Sequence, residues 1–128
     1  MIINYYLFWG CFGLVVELFF TATRRLIAQK DLALIGHTSI LMFPIYALGL
    51  THGFDLIRFL IPWDILRWLS YPFWIWGVEI LIGSFTTRKN IWIWDYSYLP
   101  EKYHWKGIIS YAHFPIWIIF GILVELIK

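Results

Sequence analysis

The chain has 128 residues, of which 61% are hydrophobic and only 14% are charged. Soluble domains carry about 25% charged residues, so this composition excludes an ordinary soluble protein and indicates a lipid bilayer as the solvent. The net charge of +2 is too small to indicate a nucleic-acid partner. Because Cys11 is the single cysteine, neither an intrachain disulfide nor a cysteine-based metal cluster is expected. We expect no metal and no cofactor.

Four apolar runs are each long enough to cross a bilayer as a helix, at about 3–22, 32–50, 65–84 and 107–127. Helices satisfy their own backbone hydrogen bonds in lipid, whereas open strands do not. The first run contains Glu17 and has no basic residue before it, which favours a retained span over a cleaved signal peptide. The sequence predicts an all-α integral membrane protein with four transmembrane helices in a single transmembrane domain, 1–128.

Positive charge predicts the orientation of these spans. Seven of the ten lysines and arginines lie in the loops 23–31 and 85–106, while the loop after the second span holds Arg58 and Arg67. Loops rich in Lys and Arg face the cytoplasm, so we expect both termini outside a multi-pass protein of the cell membrane. Two short interfacial segments are expected, a helix at 54–63 ended by Pro62 and an aromatic stretch at 90–99.

An internal repeat accompanies the four spans. The stretch "GHTSILMFPIY" at 36–46 matches "GIISYAHFPIW" at 107–117 with a constant offset of 71. The shared Gly, Ser, Phe, Pro and Ile favour duplication over chance recurrence. We therefore predict two tandem helical hairpins, at about 3–50 and 65–127, related by a pseudo-two-fold axis along the membrane normal. Pro44 and Pro115 fall inside predicted spans, where each is expected to kink its helix.

Three glutamates lie within the predicted spans. A carboxylate inside a spanning helix is costly, usually faces the bundle interior and is by default a candidate functional site. Glu17 and Glu79 lie at similar depth, and each is a candidate proton or cation site or, equally, a packing residue. Glu125 lies near the outer end of its span, which favours packing. His37 lies at roughly the depth of Glu17, so a Glu17–His37 pair is a candidate proton site, although a packed, hydrogen-bonded histidine is the interpretation that the residues favour.

Asp95 and Tyr96 belong to the motif "WDYS" in the inner loop. Asp95 is the only acid within an aromatic stretch and lies near basic residues, so a cation or a lipid headgroup is a candidate ligand. The interpretation that the residues favour is an Asx-type turn in which Asp95 accepts hydrogen bonds from the backbone near Ser97.

The chain resembles a known family in six stretches, taken in order: "GLVVELFFTA" (13–22), "GHTSILMFPIY" (36–46), "WGVEILIG" (76–83), "WDYS" (94–97), "GIISYAHFPIW" (107–117) and "GILVEL" (121–126). They are similar to the transmembrane protein 229 family and to the bacterial CmpB-like family labelled ABC transporter type IV. The resemblance implies a polytopic membrane protein and adds weight to Asp95 and Glu125 as site residues. The positions that match the family pattern are Glu17, Glu79, Asp95, Tyr96, Ser97, Trp117 and Glu125. Phe43-Pro44 departs from that pattern.

These observations predict a small permease-like component of a transport system with an unknown substrate. The alternatives are a structural or assembly factor and a lipid-handling protein or enzyme acting around Asp95, Tyr96 and His104. No nucleotide-binding or hydrolase motif is present, which favours a protein that is not an enzyme. The expected partners are the lipid bilayer, further copies of the chain, or another membrane or ATPase subunit.

Overall fold

The computed structural model describes residues 1–128, which are mostly helical. Five α-helices follow one another along the chain: α1 (Ile2–Gln29), α2 (Met42–Leu48), α3 (Phe54–Leu60), α4 (Asp64–Arg88) and α5 (Phe114–Ile127). A π-helical turn, Gly49–Gly53, joins α2 to α3 without a break. The helical prediction is confirmed, and two of these helices, α1 with 28 residues and α4 with 25, are long and apolar enough to cross a membrane.

The chain divides into two compact units, Met1–Leu56 and Ile57–Lys128. In the first unit, α1 packs against α2. In the second unit, α4 packs against α5. Each unit therefore pairs one long apolar helix with a shorter helix that follows it in the chain.

The second predicted span, 32–50, has the wrong boundaries. Residues 30–41 are not helical, and the helix runs instead from Met42 through the π-helical turn to Leu60. Backbone contacts with α1 explain the difference. The backbone of Gly36 lies against the carbonyl of Leu18, and the Thr21 hydroxyl bonds the backbone of His37. These contacts hold the chain extended along α1 until Met42 starts the helix.

The kinks expected at Pro44 and Pro115 are wrong, because each proline lies in the first turn of its helix. Pro44 is the third residue of α2, and Pro115 occupies the start of α5. The first backbone N–H groups of a helix have no acceptor within it, so a proline there costs no hydrogen bond. The proline inside a long helix is Pro72 of α4.

A small folded segment connects α4 to α5. Strands β1 (His104–Trp105) and β2 (Ile109–Ser110) pair antiparallel, with His104 opposite Ser110. Their turn contains Lys106 and Gly107, both with positive φ. The fourth predicted span, 107–127, is therefore helical only in its later part, which is why its α-helix begins at Phe114 after a 3₁₀ turn at Tyr111–His113.

Candidate functional site

Glu17 lies on α1 and connects it to the rest of the first unit. The Thr38 hydroxyl donates to Glu17 Oε2 over 2.6 Å, and the Tyr46 hydroxyl donates to Glu17 Oε1 over 3.0 Å. Thr38 belongs to the extended segment and Tyr46 to α2. Tyr46 can approach closely because its ring occupies the space that a side chain at Gly13 would fill. Both carboxylate oxygens therefore hold neighbouring elements against α1.

The structure does not bring the side chains of Glu17 and His37 together as a pair. The backbone N–H of His37 donates to Thr21 Oγ1 over 2.8 Å, and the His37 side chain is exposed. Thr21 lies one helical turn after Glu17 and fixes the peptide group of His37. It is then the next residue, Thr38, whose side chain reaches the carboxylate.

Glu79 belongs to a row of polar and aromatic side chains in the second unit, some of them buried. Glu79 is only 8% exposed and accepts a hydrogen bond of 2.8 Å from the Tyr96 hydroxyl. The Tyr96 ring centroid lies 5.2 Å from that of His113, whose ring lies 6.2 Å from that of Trp117. We call these four residues the Glu79 cluster. It joins α4, the "WDYS" loop and the start of α5, so Glu79 and Tyr96 are brought together as a pair that the sequence did not predict.

The two glutamates occupy comparable surroundings in their units. Thr21 and Gly83 each lie four residues after the glutamate, and each contacts the same position of the repeated motif. Thr21 bonds His37, whereas a side chain at Gly83 would lie 2.6 Å from Ile108, the residue 71 positions after His37. Trp117 stands at the repeat position of Tyr46, and its buried indole N–H has no hydrogen-bond partner. The same position of the repeat therefore carries a tyrosine that bonds a glutamate in the first unit and a tryptophan with an unbonded indole N–H in the second.

Glu125 is held by a dense set of donors from α4. Arg67 donates from Nε to Oε1 over 2.5 Å and from Nη2 to Oε2 over 2.9 Å. The Trp68 indole donates to Oε2 over 3.0 Å, and the Tyr71 hydroxyl donates to Oε1. From the sequence, Arg67 is assigned to the loop after the second span. In the structure it lies in α4, and only 6% of it is exposed. This arrangement fits the packing role that the sequence favoured for Glu125.

Asp95 forms the Asx-type turn that the sequence favoured. Its Oδ1 accepts the backbone N–H of Ser97 over 2.9 Å and also the Ser97 hydroxyl. The Tyr96 N–H donates to the carbonyl of Gly107 over 2.9 Å, and this turn directs the Tyr96 hydroxyl to Glu79. A side chain at Gly107 would lie 2.7 Å from Asp95 Oδ1. No group of three or more His, Cys, Asp or Glu side chains in the chain is arranged to hold a metal ion.

Sequence reasoning missed a contact in the first unit. His52 lies in the π-helical turn, with Nε2 at 2.6 Å from the Tyr6 hydroxyl. No signal for this contact was available in the sequence, because the second predicted span ended at residue 50 and left His52 outside the helix.

No known protein family matches the chain, and no solved structure matches it. The resemblance to the transmembrane protein 229 and CmpB-like families therefore stays a prediction.

Proposed function

We propose that the chain is a four-span protein of the cell membrane, built from a duplicated helical hairpin. In the most apolar 18-residue stretches of α1 and α4, only 17% and 22% of the residues are buried. Most of the apolar surface of both helices is therefore left to face lipid. The helical segment 42–60 and the helix at 111–127 would supply the other two spans. The loops 23–31 and 85–106 would be cytoplasmic, with both termini outside.

Equivalent contacts in the two units support the duplication. The repeat places His37 and Ile108 at one position, and each contacts the residue four places after the glutamate of its own unit. Chance recurrence of a short motif gives no reason for its neighbours to match as well. Duplication explains both observations.

We further propose that the protein is a component of a transport system and that the Glu79 cluster is its proton-coupling site. One observation carries this proposal: a carboxyl that is 8% exposed on an apolar helix accepts a hydrogen bond from a tyrosine whose ring lies 5.2 Å from that of a buried histidine. Glu79, Tyr96 and His113 are all proton-exchanging groups, and chains of such residues inside membranes mark proton relays.

The structural or assembly role is the second candidate. Both oxygens of Glu17 and both of Glu125 bond side chains of neighbouring elements, which is what packing residues do. If Glu79 also acts only in packing, the protein has no coupling site and functions by organising other chains.

Proton binding at Glu79 is tested by infrared titration of the full chain in lipid nanodiscs. We expect a protonated-carboxyl band that appears as the pH falls and is lost in Glu79→Gln. Glu101→Gln, a change of the same kind at an exposed position, should leave that band intact. A titration that is identical in the wild type and Glu79→Gln would reject the proton site and favour the structural role.

Transport is tested by purifying the chain with its neighbours from its own host membrane, followed by native mass spectrometry. A co-purified ATPase supports a subunit of an energised transporter, and a homo-oligomer whose proteoliposomes conduct protons supports a self-contained one. A homo-oligomer that conducts no faster than protein-free liposomes, or a stable complex with a non-transport protein, would favour the assembly factor.

A further inference from the structure

The end of α4 and the segment that follows it carry four basic side chains that form no ion pair. These are Arg88, Lys89, Lys102 and Lys106, whereas Arg25 and Arg67 each pair with a carboxylate. Two carboxylates lie in the same segment, and one of them, Asp95, is bonded to Ser97. The segment therefore presents an excess of positive charge that the protein itself does not neutralise.

Aromatic rings accompany these lysines. Lys89 Nζ lies 4.5 Å from the ring centroid of Phe85, Lys102 Nζ lies 4.8 Å from that of Tyr103, and Lys106 Nζ lies 4.8 Å from that of Trp105. Trp92 is also 49% exposed and Trp105 is 37% exposed. Exposed Trp and Tyr rings favour the level of lipid headgroups, where nearby lysines can reach phosphate oxygens.

The corresponding loop of the first unit lacks this combination. Residues 30–41 contain no Trp, Tyr or Phe, and Arg25 near their start is paired with Asp31 over 2.8 Å. The loops 23–31 and 85–106 are both basic and both are predicted to be cytoplasmic. Lysines placed over aromatic rings are therefore a property of the second unit and not a general consequence of facing the membrane surface.

We propose that the segment 88–106 is a binding surface for the phosphate headgroups of anionic phospholipids. Arg88 is the last residue of α4, one of the two helices long and apolar enough to span a membrane, so the cations begin where such a helix ends. The positive charge favours an anionic ligand. The exposed aromatic rings favour a lipid headgroup at a membrane surface over an anion that is free in water. The proposal does not depend on the role of Glu79.

Lys102 and Lys106 are the cations to remove first, because they flank β1 and form no hydrogen bond that would tie them to the fold. A lysine near an anionic membrane surface raises the affinity roughly fivefold. Lys102→Gln combined with Lys106→Gln should therefore weaken binding of phosphatidylglycerol by more than about tenfold. Phosphatidylcholine, which has no net charge, should bind both proteins alike.

The test is a native mass spectrometry titration of the full chain in detergent with phosphatidylglycerol or phosphatidylcholine. The matched control is Lys30→Gln combined with Arg58→Gln, which removes the same charge from exposed positions elsewhere. The control should bind phosphatidylglycerol within twofold of the wild type. An equal loss in both double variants, or no loss in either, would overturn the proposal.

Two measurements on the wild type keep the proposal testable if a variant misfolds. Added salt should weaken phosphatidylglycerol binding, because it screens the attraction between exposed charges. At 0.1 M salt that attraction extends over only about 10 Å. Binding that is indifferent to salt would reject the charge-based surface. Competition by inorganic phosphate at concentrations similar to those of the lipid would show a free anion site and would equally overturn it.

Discussion

Arg67 and Glu125 form a two-point ion pair between α4 and α5, with Nε–Oε1 and Nη2–Oε2 distances of 2.5 and 2.9 Å. Arg67 is almost fully buried, so its charge is stabilised mainly by this carboxylate and by Asp64 at 2.6 Å. Removing one partner of a buried pair leaves an uncompensated charge, whereas removing both leaves none.

Glu125→Ala is therefore expected to destabilise the protein by about 3–5 kcal/mol. The combined variant Arg67→Met/Glu125→Leu should lose clearly less, because it leaves no buried charge. Chemical unfolding in detergent, followed by circular dichroism, measures both values. Equal losses in the single and the combined variant would show that the pair does not act through charge.

Gly36→Ala should be among the most damaging small substitutions in the chain. A Cβ at this position would lie 2.1 Å from the Leu18 carbonyl oxygen, a backbone atom that cannot move aside. Gly77→Ala is the matched control, because a Cβ there meets nothing within 4 Å. We expect Gly36→Ala to lower the unfolding temperature strongly and Gly77→Ala to leave it unchanged or slightly raised, since alanine favours helix by about 1 kcal/mol. Similar effects of the two would contradict the backbone contact.

Thr38→Val should cost about 1.5–3 kcal/mol, the usual range for a hydrogen bond to a charged group. The change keeps the shape of the side chain and removes the donor to Glu17 Oε2. Thr23→Val, on an exposed position of α1, is the control and should cost less than about 0.5 kcal/mol. If Thr38→Val matches that control in a denaturant titration, Glu17 does not stabilise the extended segment through Thr38.

Asp95→Asn should be tolerated better than Asp95→Ala. Asparagine keeps an oxygen that can accept the Ser97 N–H, whereas alanine removes the acceptor and should cost about 1 kcal/mol. Thermal unfolding with and without added divalent cations makes the comparison. Stabilisation by a cation that both substitutions abolish would instead identify Asp95 as a cation ligand.

The helical class and the glutamate positions were predictable because composition and apolar runs are local properties. The repeat motif also directed attention to Tyr46, which bonds Glu17, and to Trp117, whose ring lies near that of His113. What the sequence did not reveal were contacts made by the backbone. Gly36 and Thr21 hold residues 30–41 out of a helix although the run is apolar, and hydropathy does not register such contacts.

The environment of Arg67 could not be predicted for a related reason. A basic residue at the edge of an apolar run is normally placed in a loop, and it is the position of Glu125 on the facing helix, together with Asp64, that makes the burial of Arg67 favourable. Similarly, Tyr96 reaches Glu79 only because the Asx-type turn at Asp95 folds the loop back. Both contacts depend on tertiary structure.

The π-helical turn at Gly49–Gly53 has a consequence for changes in chain length. Such a turn corresponds to one residue more than a regular helix requires, and each residue rotates the helix by about 100°. Deleting one residue here would remove the extra residue, so the helix would continue regularly with Phe54, now 5% exposed, still on its buried side. A deletion within α4, which contains no such turn, would instead rotate the residues after it by about 100°. We therefore expect a single-residue deletion to be tolerated far better in the π-helical turn than within α4.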